Sequence, residues 1–220
     1  CEKFLDKSPD MGLSEDDVYK NYETFRGYMD KSYDYLDQIY KYHGTNNGRS
    51  HPGTFSDELG CIYNSAESRT INSGNWLSQD ITGYEIGINS ANGGTSIYHS
   101  YQGLRIVNRV IQDIERVVTI TEEQKGELLG QAYFLRAFMH FLSLRVYGPI
   151  PIIDYVVATD DDWSAIVRKP YDYCVEAIVK DCEDAYALLP TKRATTEYGR
   201  PIKAAAYALR ARVLLYAASP

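Results

Sequence analysis

No run in the 220 residues approaches the roughly 20 consecutive apolar positions that a membrane-spanning helix needs. The longest candidate, VYGPIPIIDYVV, is cut by two prolines and an aspartate. A basic excess is missing too: 23 lysines and arginines stand against 30 aspartates and glutamates, for a net charge of -7. Phosphate backbones need a basic face, so this balance argues against a nucleic-acid partner. Four cysteines are too few and too differently placed for a disulfide framework; Cys61, Cys174 and Cys182 read as buried free thiols. His43, His51, His99 and His140 show no metal-ligand spacing, and neither a metal nor a cofactor is expected.

What the chain does have is a globular balance, with 44% hydrophobic and 24% charged residues, and an unusual supply of 20 tyrosines. Tyrosine joins a rigid apolar ring to a polar tip, which suits wet interfaces as well as cores. Residues 1–13 lack a sustained period and read as an extended lead-in. Its first residue, Cys1, is what cleavage of a bacterial lipoprotein signal leaves; an arbitrary chain boundary is the alternative. Ser14 and Asp17 then resemble a capping box that opens a long amphipathic helix with Val18, Tyr22, Phe25, Met29, Leu36 and Tyr40 on one face, ending before HGTNNG. Tyr28, Tyr33, Tyr35 and Tyr42 partly leave that stripe, to meet a partner or to pack under a loop.

Residues 43–97 hold nine of the 16 glycines and seven of the nine asparagines. A connection this long in a compact domain is functional or carries minor structure of its own. Helical periodicity returns with Leu104, Val107, Ile111, Ile114 and Val118. Thr121 and Gln124 form a second capping box. The following stretch, GQAYFLRAFMHFLSLRVYGPIP, carries one stripe of Ala132, Leu135, Met139, Leu142 and Val146 and another of Phe134, Phe138 and Phe141. A helix apolar on two faces is sandwiched between layers, and prolines stop it. TDDDW could offer Asp160 and Asp162 to calcium but lacks the glycine and distal glutamate of a binding loop, so a solvated turn is the plainer reading. Val175, Ile178, Cys182, Ala185 and Leu189 define the next helix, and Ala204, Ala208, Ala211, Leu215 and Ala218 one side of the last, where small residues permit close approach.

Tyr133, Leu135, Arg136 and Ala137 recur as Tyr207, Leu209, Arg210 and Ala211 at a constant offset. Each sandwiched helix follows a narrower amphipathic one. Two helix pairs of one design predict an all-α fold of tetratricopeptide-like stacked hairpins, with a long irregular insert between the first helix and the repeats. The organisation expected is a lead-in over 1–13 and a single domain over 14–220, with hairpins at 98–147 and 168–219. An alanine-rich surface left open near residue 220 suggests that further chain covers it. Arg136 and Arg210 are expected to meet carboxylates or carbonyls.

The segments GQAYFLRAFMHFLSLRVYGPIPI, RKPYDYCVEAIVKDCEDAYALLP and GRPIKAAAYALRARVLLYAASP resemble, in order and spacing, the SusD/RagB outer-membrane lipoproteins. CEKFLD looks like their mature start, and YHSYQGLRIVNRVI like their helix with Tyr and Asn on one face. The resemblance spans residues 1–220 but only the N-terminal portion of a typical member. Ile202 departs from it where members often carry Ser or Thr, which puts a local cap in doubt. It implies a protein that is not an enzyme, lipid-anchored through Cys1 to the outer membrane and facing the exterior. Such a protein captures an oligo- or polysaccharide for a SusC-like TonB-dependent transporter.

The residues themselves support sugar binding in part. Pyranose rings present C–H faces that suit aromatic planes and hydroxyl rims that need planar donors and acceptors. The segment SDELGCIYNSAESRTINSGNW offers both. On the resemblance, Trp76 would stack, Asn75 and Asp57 would bond hydroxyls, and Arg69 would donate or orient Asp57, with Tyr98 a second platform. Each has a plainer reading: Trp76 as a loop anchor, Asp57 as a helix cap, Arg69 as an ion-pair partner. Two rivals stand beside this function. One is a helical-repeat scaffold for a protein partner; the other is a glycoside hydrolase using Asp57 or Glu58, although no facing carboxylate is evident.

Overall fold

The computed structural model describes residues 15–36, 73–74, 96–158 and 160–219. Within them the regular structure is helical: α1 Glu15–Val18, α2 Tyr22–Asp30, α3 Ser96–Asp113, α4 Glu122–Tyr147, α5 Tyr171–Leu188 and α6 Lys203–Ala217. No strand occurs among the described residues, and no described helix is long and apolar enough to cross a membrane.

The single first helix expected from the sequence is broken. α1 ends at Val18, and the chain restarts at Asn21, whose extended backbone caps α2. The Asn21 carboxamide accepts from the Thr24 N–H at 3.0 Å, and the Thr24 hydroxyl accepts in return from the Asn21 N–H. A break exposes backbone groups that need partners. Here Tyr22 donates to the Thr119 carbonyl and Val118 donates to that of Tyr19, both at 3.0 Å, so the α3–α4 connection closes the gap. Phe25 and Met29 still enter the core, and Lys31–Tyr35 continue as a tighter 3-10 turn. Tyr28, Tyr33 and Tyr35 pack against that core, and the Tyr33 hydroxyl donates to Gln131 at 2.7 Å. The Ser14 cap, Tyr40 and Tyr42 lie outside the described residues.

α3 buries Leu104, Val107 and Val110, then tightens at Ile114–Arg116. With three residues per turn, the buried face passes from Ile114 to Val117. Val118, expected inside, is therefore 82% exposed, and Ile111 is only half-buried. α4 opens with the expected Thr121–Gln124 box and ends at Gly148, whose φ of 64° favours glycine. It is the sandwiched helix. Leu128, Ala132, Leu135 and Met139 join α2 and α3 in one cluster, while Ala137, Phe141 and Leu144 join α5 and α6 in another. Val146 has a side chain outside the described set.

α5 and its C-cap Leu189 bury all five residues of the expected stripe, and Cys174 is buried beside them; Cys174 and Cys182 are both free thiols. α6 turns the other way from expectation. Ala206, Leu209 and Val213 face inward, whereas Ala204, Ala208, Ala211, Leu215 and Ala218 are exposed. A helix that is apolar all round gives periodicity no unique face to choose. Ile202 is its N-cap and makes no side-chain capping bond.

Candidate functional site: an aromatic cleft on α3

The prolines that end α4 launch an extended strap over residues 149–158, which runs back across α3. Alternate side chains of an extended segment share a side. Pro151, Ile153, Tyr155 and Val157 line a cleft of about 350 Å³ together with Tyr101 and Arg105 of α3 and Trp163 and Ile166 beyond the strap. Trp163 is 61% and Tyr155 46% exposed, so two rings stand at the solvent side while Ile153 closes the floor.

The strap is held by its backbone. Asn108 donates its amide to the carbonyls of Ile153 at 2.8 Å and Tyr155 at 3.0 Å. Tyr101, two turns earlier on α3, donates to the Pro151 carbonyl at 2.9 Å; burial pushes its hydroxyl up to about 12, so it stays a donor. Arg136 of α4 reaches the Asp154 carbonyl and the Asn108 carboxamide oxygen, both at 3.2 Å. The Ile153 N–H donates to His140 Nε2 at 3.2 Å. Burial, with Arg136 nearby, pushes the His140 pKa down to about 3, so the ring is neutral and free to accept.

Arg136 is fixed in turn by Asp181 of α5, through Nε to Oδ2 at 2.8 Å and Nη2 to Oδ1 at 2.6 Å. Burial alone would lower the guanidinium pKa, but the Asp181 hydrogen bonds and charge outweigh it and hold Arg136 cationic. The same burial pushes the Asp181 carboxyl up, and Arg136 pulls it back. A buried polar relay thus runs from α5 through α4 to α3 and ends on three consecutive strap carbonyls. It places the cleft wall in one position before any ligand arrives. Arg136 has the structural role expected of it. Its repeat counterpart Arg210 meets Glu183 at 3.2 Å in a more exposed setting.

The structure does not describe most of the sequence-derived site. Asp57, Arg69, Asn75 and Trp76 lie outside the described residues, as do Cys1, Glu58, Cys61, His43 and His51. Tyr98 belongs to the first turn of α3, one turn before Tyr101, but its side chain, like that of His99, is not among those described. Among the described residues no group of three or more His, Cys, Asp or Glu could hold a metal ion. Residues 160–163 of TDDDW form a solvated turn in which the Asp162 carboxylate accepts from the Ser164 N–H at 2.9 Å. Trp163 and Tyr155, the exposed rings of the cleft, are not among the residues expected from the sequence. Their signal was the period of two through PIPIIDYVV and a tryptophan set directly behind three aspartates.

Comparison with known proteins agrees with this architecture. A family described as "Starch-binding associating with outer membrane" matches residues 3–215. SusD-like protein P2 of Formosa agariphila is 32% identical over 118 residues, covering 52% of this chain and 23% of that protein. The crystal structure of a SusD-like protein from Bacteroides fragilis superposes with a TM-score of 0.61 at 22% identity, over 96% of this chain and 38% of that one. A second B. fragilis structure, of a SusD-like carbohydrate-binding protein, gives 0.65 at 19% identity over 90% and 38%. The chain spans 23% and 33% of the lengths of two curated relatives. With nearly its whole length matched by the family and its helices stacked in the same tetratricopeptide-like order, this chain belongs to the SusD-like family.

Proposed function

We propose that the protein is a cell-surface glycan-binding lipoprotein, anchored at the outer membrane through Cys1, which captures an oligo- or polysaccharide. It then hands the glycan unchanged to a SusC-like TonB-dependent transporter. The observation that carries the reading is the cleft on α3. Exposed Trp163 and Tyr155 rings border a cavity of about 350 Å³ whose wall is fixed from behind. That volume falls within the usual range for small-ligand sites, and flat rings suit the C–H faces of a pyranose. Asp57, Arg69, Asn75, Trp76 and Tyr98 would add further contacts to the sugar. Family membership supports sugar as the ligand class.

A polysaccharide panel in native affinity gels tests the reading. At least one glycan should retard the full-length protein, and Trp163→Ala should reduce that retardation without lowering the melting temperature. Release of reducing sugar during the incubation would point instead to hydrolysis. A scaffold function is the second reading, favoured by the outer face of α6, where Tyr207, Leu214, Leu215 and Tyr216 are exposed. No retardation by any glycan, alongside capture of the transporter, would favour it.

A further inference from the structure

The reading of the cleft as a sugar site leaves open which sugar enters it, and the cleft's own hydrogen bonding bears on that choice. Among the described residues, the carbonyls of the four strap residues that line it are already paired within the protein. The Pro151 carbonyl accepts from Tyr101, those of Ile153 and Tyr155 from Asn108, and that of Val157 from Arg105. The Ile153 N–H is taken by His140, and the Asp154 carbonyl is held by Arg136 on the far side. What faces the cavity is the hydrocarbon of Pro151, Ile153, Val157 and Ile166 and the rings of Tyr101, Tyr155 and Trp163. Among the described residues of the lining, Arg105, exposed at the margin, is the one with a charged side chain.

A fully hydroxylated hexose seated here would lose the water bonds of its inward hydroxyls and find few replacements. An unpaired buried hydroxyl is costly, whereas a methyl group in its place gains from leaving water. We infer, resting on the glycan reading above, that the cleft selects a 6-deoxyhexose residue. The C5 methyl would be directed at Ile153 and Val157, one pyranose face would lie on Trp163 or Tyr155, and the remaining hydroxyls would face Arg105 and solvent.

Two matched ligand pairs test this by NMR titration of the full-length protein: methyl α-L-fucopyranoside against methyl α-L-galactopyranoside, and methyl α-L-rhamnopyranoside against methyl α-L-mannopyranoside. Members of each pair differ only by the hydroxyl on C6. The deoxy member should bind about tenfold more tightly, the size expected for one unpaired hydroxyl. Trp163→Ala should abolish that binding. Val157→Thr, which sets a hydroxyl into the lining at nearly constant volume, should narrow the ratio. Equal or tighter binding of the hydroxylated members would overturn the selectivity. So would a failure of both deoxy sugars to bind while a polysaccharide still shows Trp163-dependent retardation in gels. Either result leaves the glycan reading standing. Absence of Trp163-dependent binding by every sugar and polysaccharide would overturn both.

Discussion

Arg136 shows how a residue in the middle of an apolar helix can be structural and still serve a surface. It and Asp181 are nearly buried, with side chains 10% and 8% exposed. Removing one partner leaves an uncompensated charge inside the protein. Asp181→Asn should therefore cost about 3–5 kcal/mol, measured by urea denaturation. It should also loosen the strap, because Arg136 reaches Asn108 and the Asp154 carbonyl with its other atoms. His140 gives a second prediction. Its pKa in the folded protein lies near 3, below the ordinary 6.5, so between those values the unfolded chain binds a proton that the native ring does not. Stability contributed by the neutral ring is complete above pH 6.5 and is lost as pH falls towards 3, by about 1 kcal/mol per pH unit. His140→Gln should flatten that part of the stability–pH curve; an unchanged slope would contradict the assignment. The sequence made Arg136 legible as a bridging cation, because a guanidinium in a sandwiched helix needs a carboxylate. It did not give the partner, since Asp181 is remote in the chain and meets Arg136 only after α4 and α5 pack.

At the scale of elements, caps decided where helices begin, and one of the two described boxes was legible. Thr121 and Gln124 fit the familiar pattern, while Asn21 and Thr24 do the same work with residues less often read that way. Hydrophobic spacing ran unbroken through Asn21, so periodicity alone favoured a continuous helix. Tertiary bonds from the α3–α4 connection to Tyr19 and Tyr22 settled the break. Asn21→Ala should cost about 1 kcal/mol through the lost cap, visible as a lower midpoint in denaturant. Gly103 marks a close approach of α3 to α4. A Cβ there would sit 2.5 Å from the Met139 methyl and 3.0 Å from Tyr35 Cβ. The methionine can move but the tyrosine Cβ cannot move freely, so Gly103→Ala should destabilise by about 1–3 kcal/mol in the same measurement. The errors at Val118 and on α6 have separate causes: a helix tightened to three residues per turn, and an alanine-rich helix without a unique apolar face.

Over the whole molecule, stacked hairpins were legible because two-faced helices have few other ways to bury both sides. Networks between distant segments were not. Arg26, Arg193 and Arg200 converge on Glu197, and Arg200 also grips Asp30 at 2.6 Å, tying α2 to the turn before α6. The cleft falls between these cases. Its helix was marked by Tyr101 and Asn108, yet its wall required knowing that the proline-rich segment folds back over them. Its chemistry follows from that return: a frame of packed helices holds the strap, and Tyr155 on it and Trp163 just beyond it offer rings to solvent.

The most direct test is calorimetric titration of the full-length protein with the polysaccharide that retards it most strongly in gels, comparing wild type with Trp163→Ala. At matched melting temperatures the variant should bind at least tenfold more weakly, as expected for loss of a stacking ring. Affinity equal to that of the wild type would contradict the assignment of the α3 cleft as the place where sugar is held.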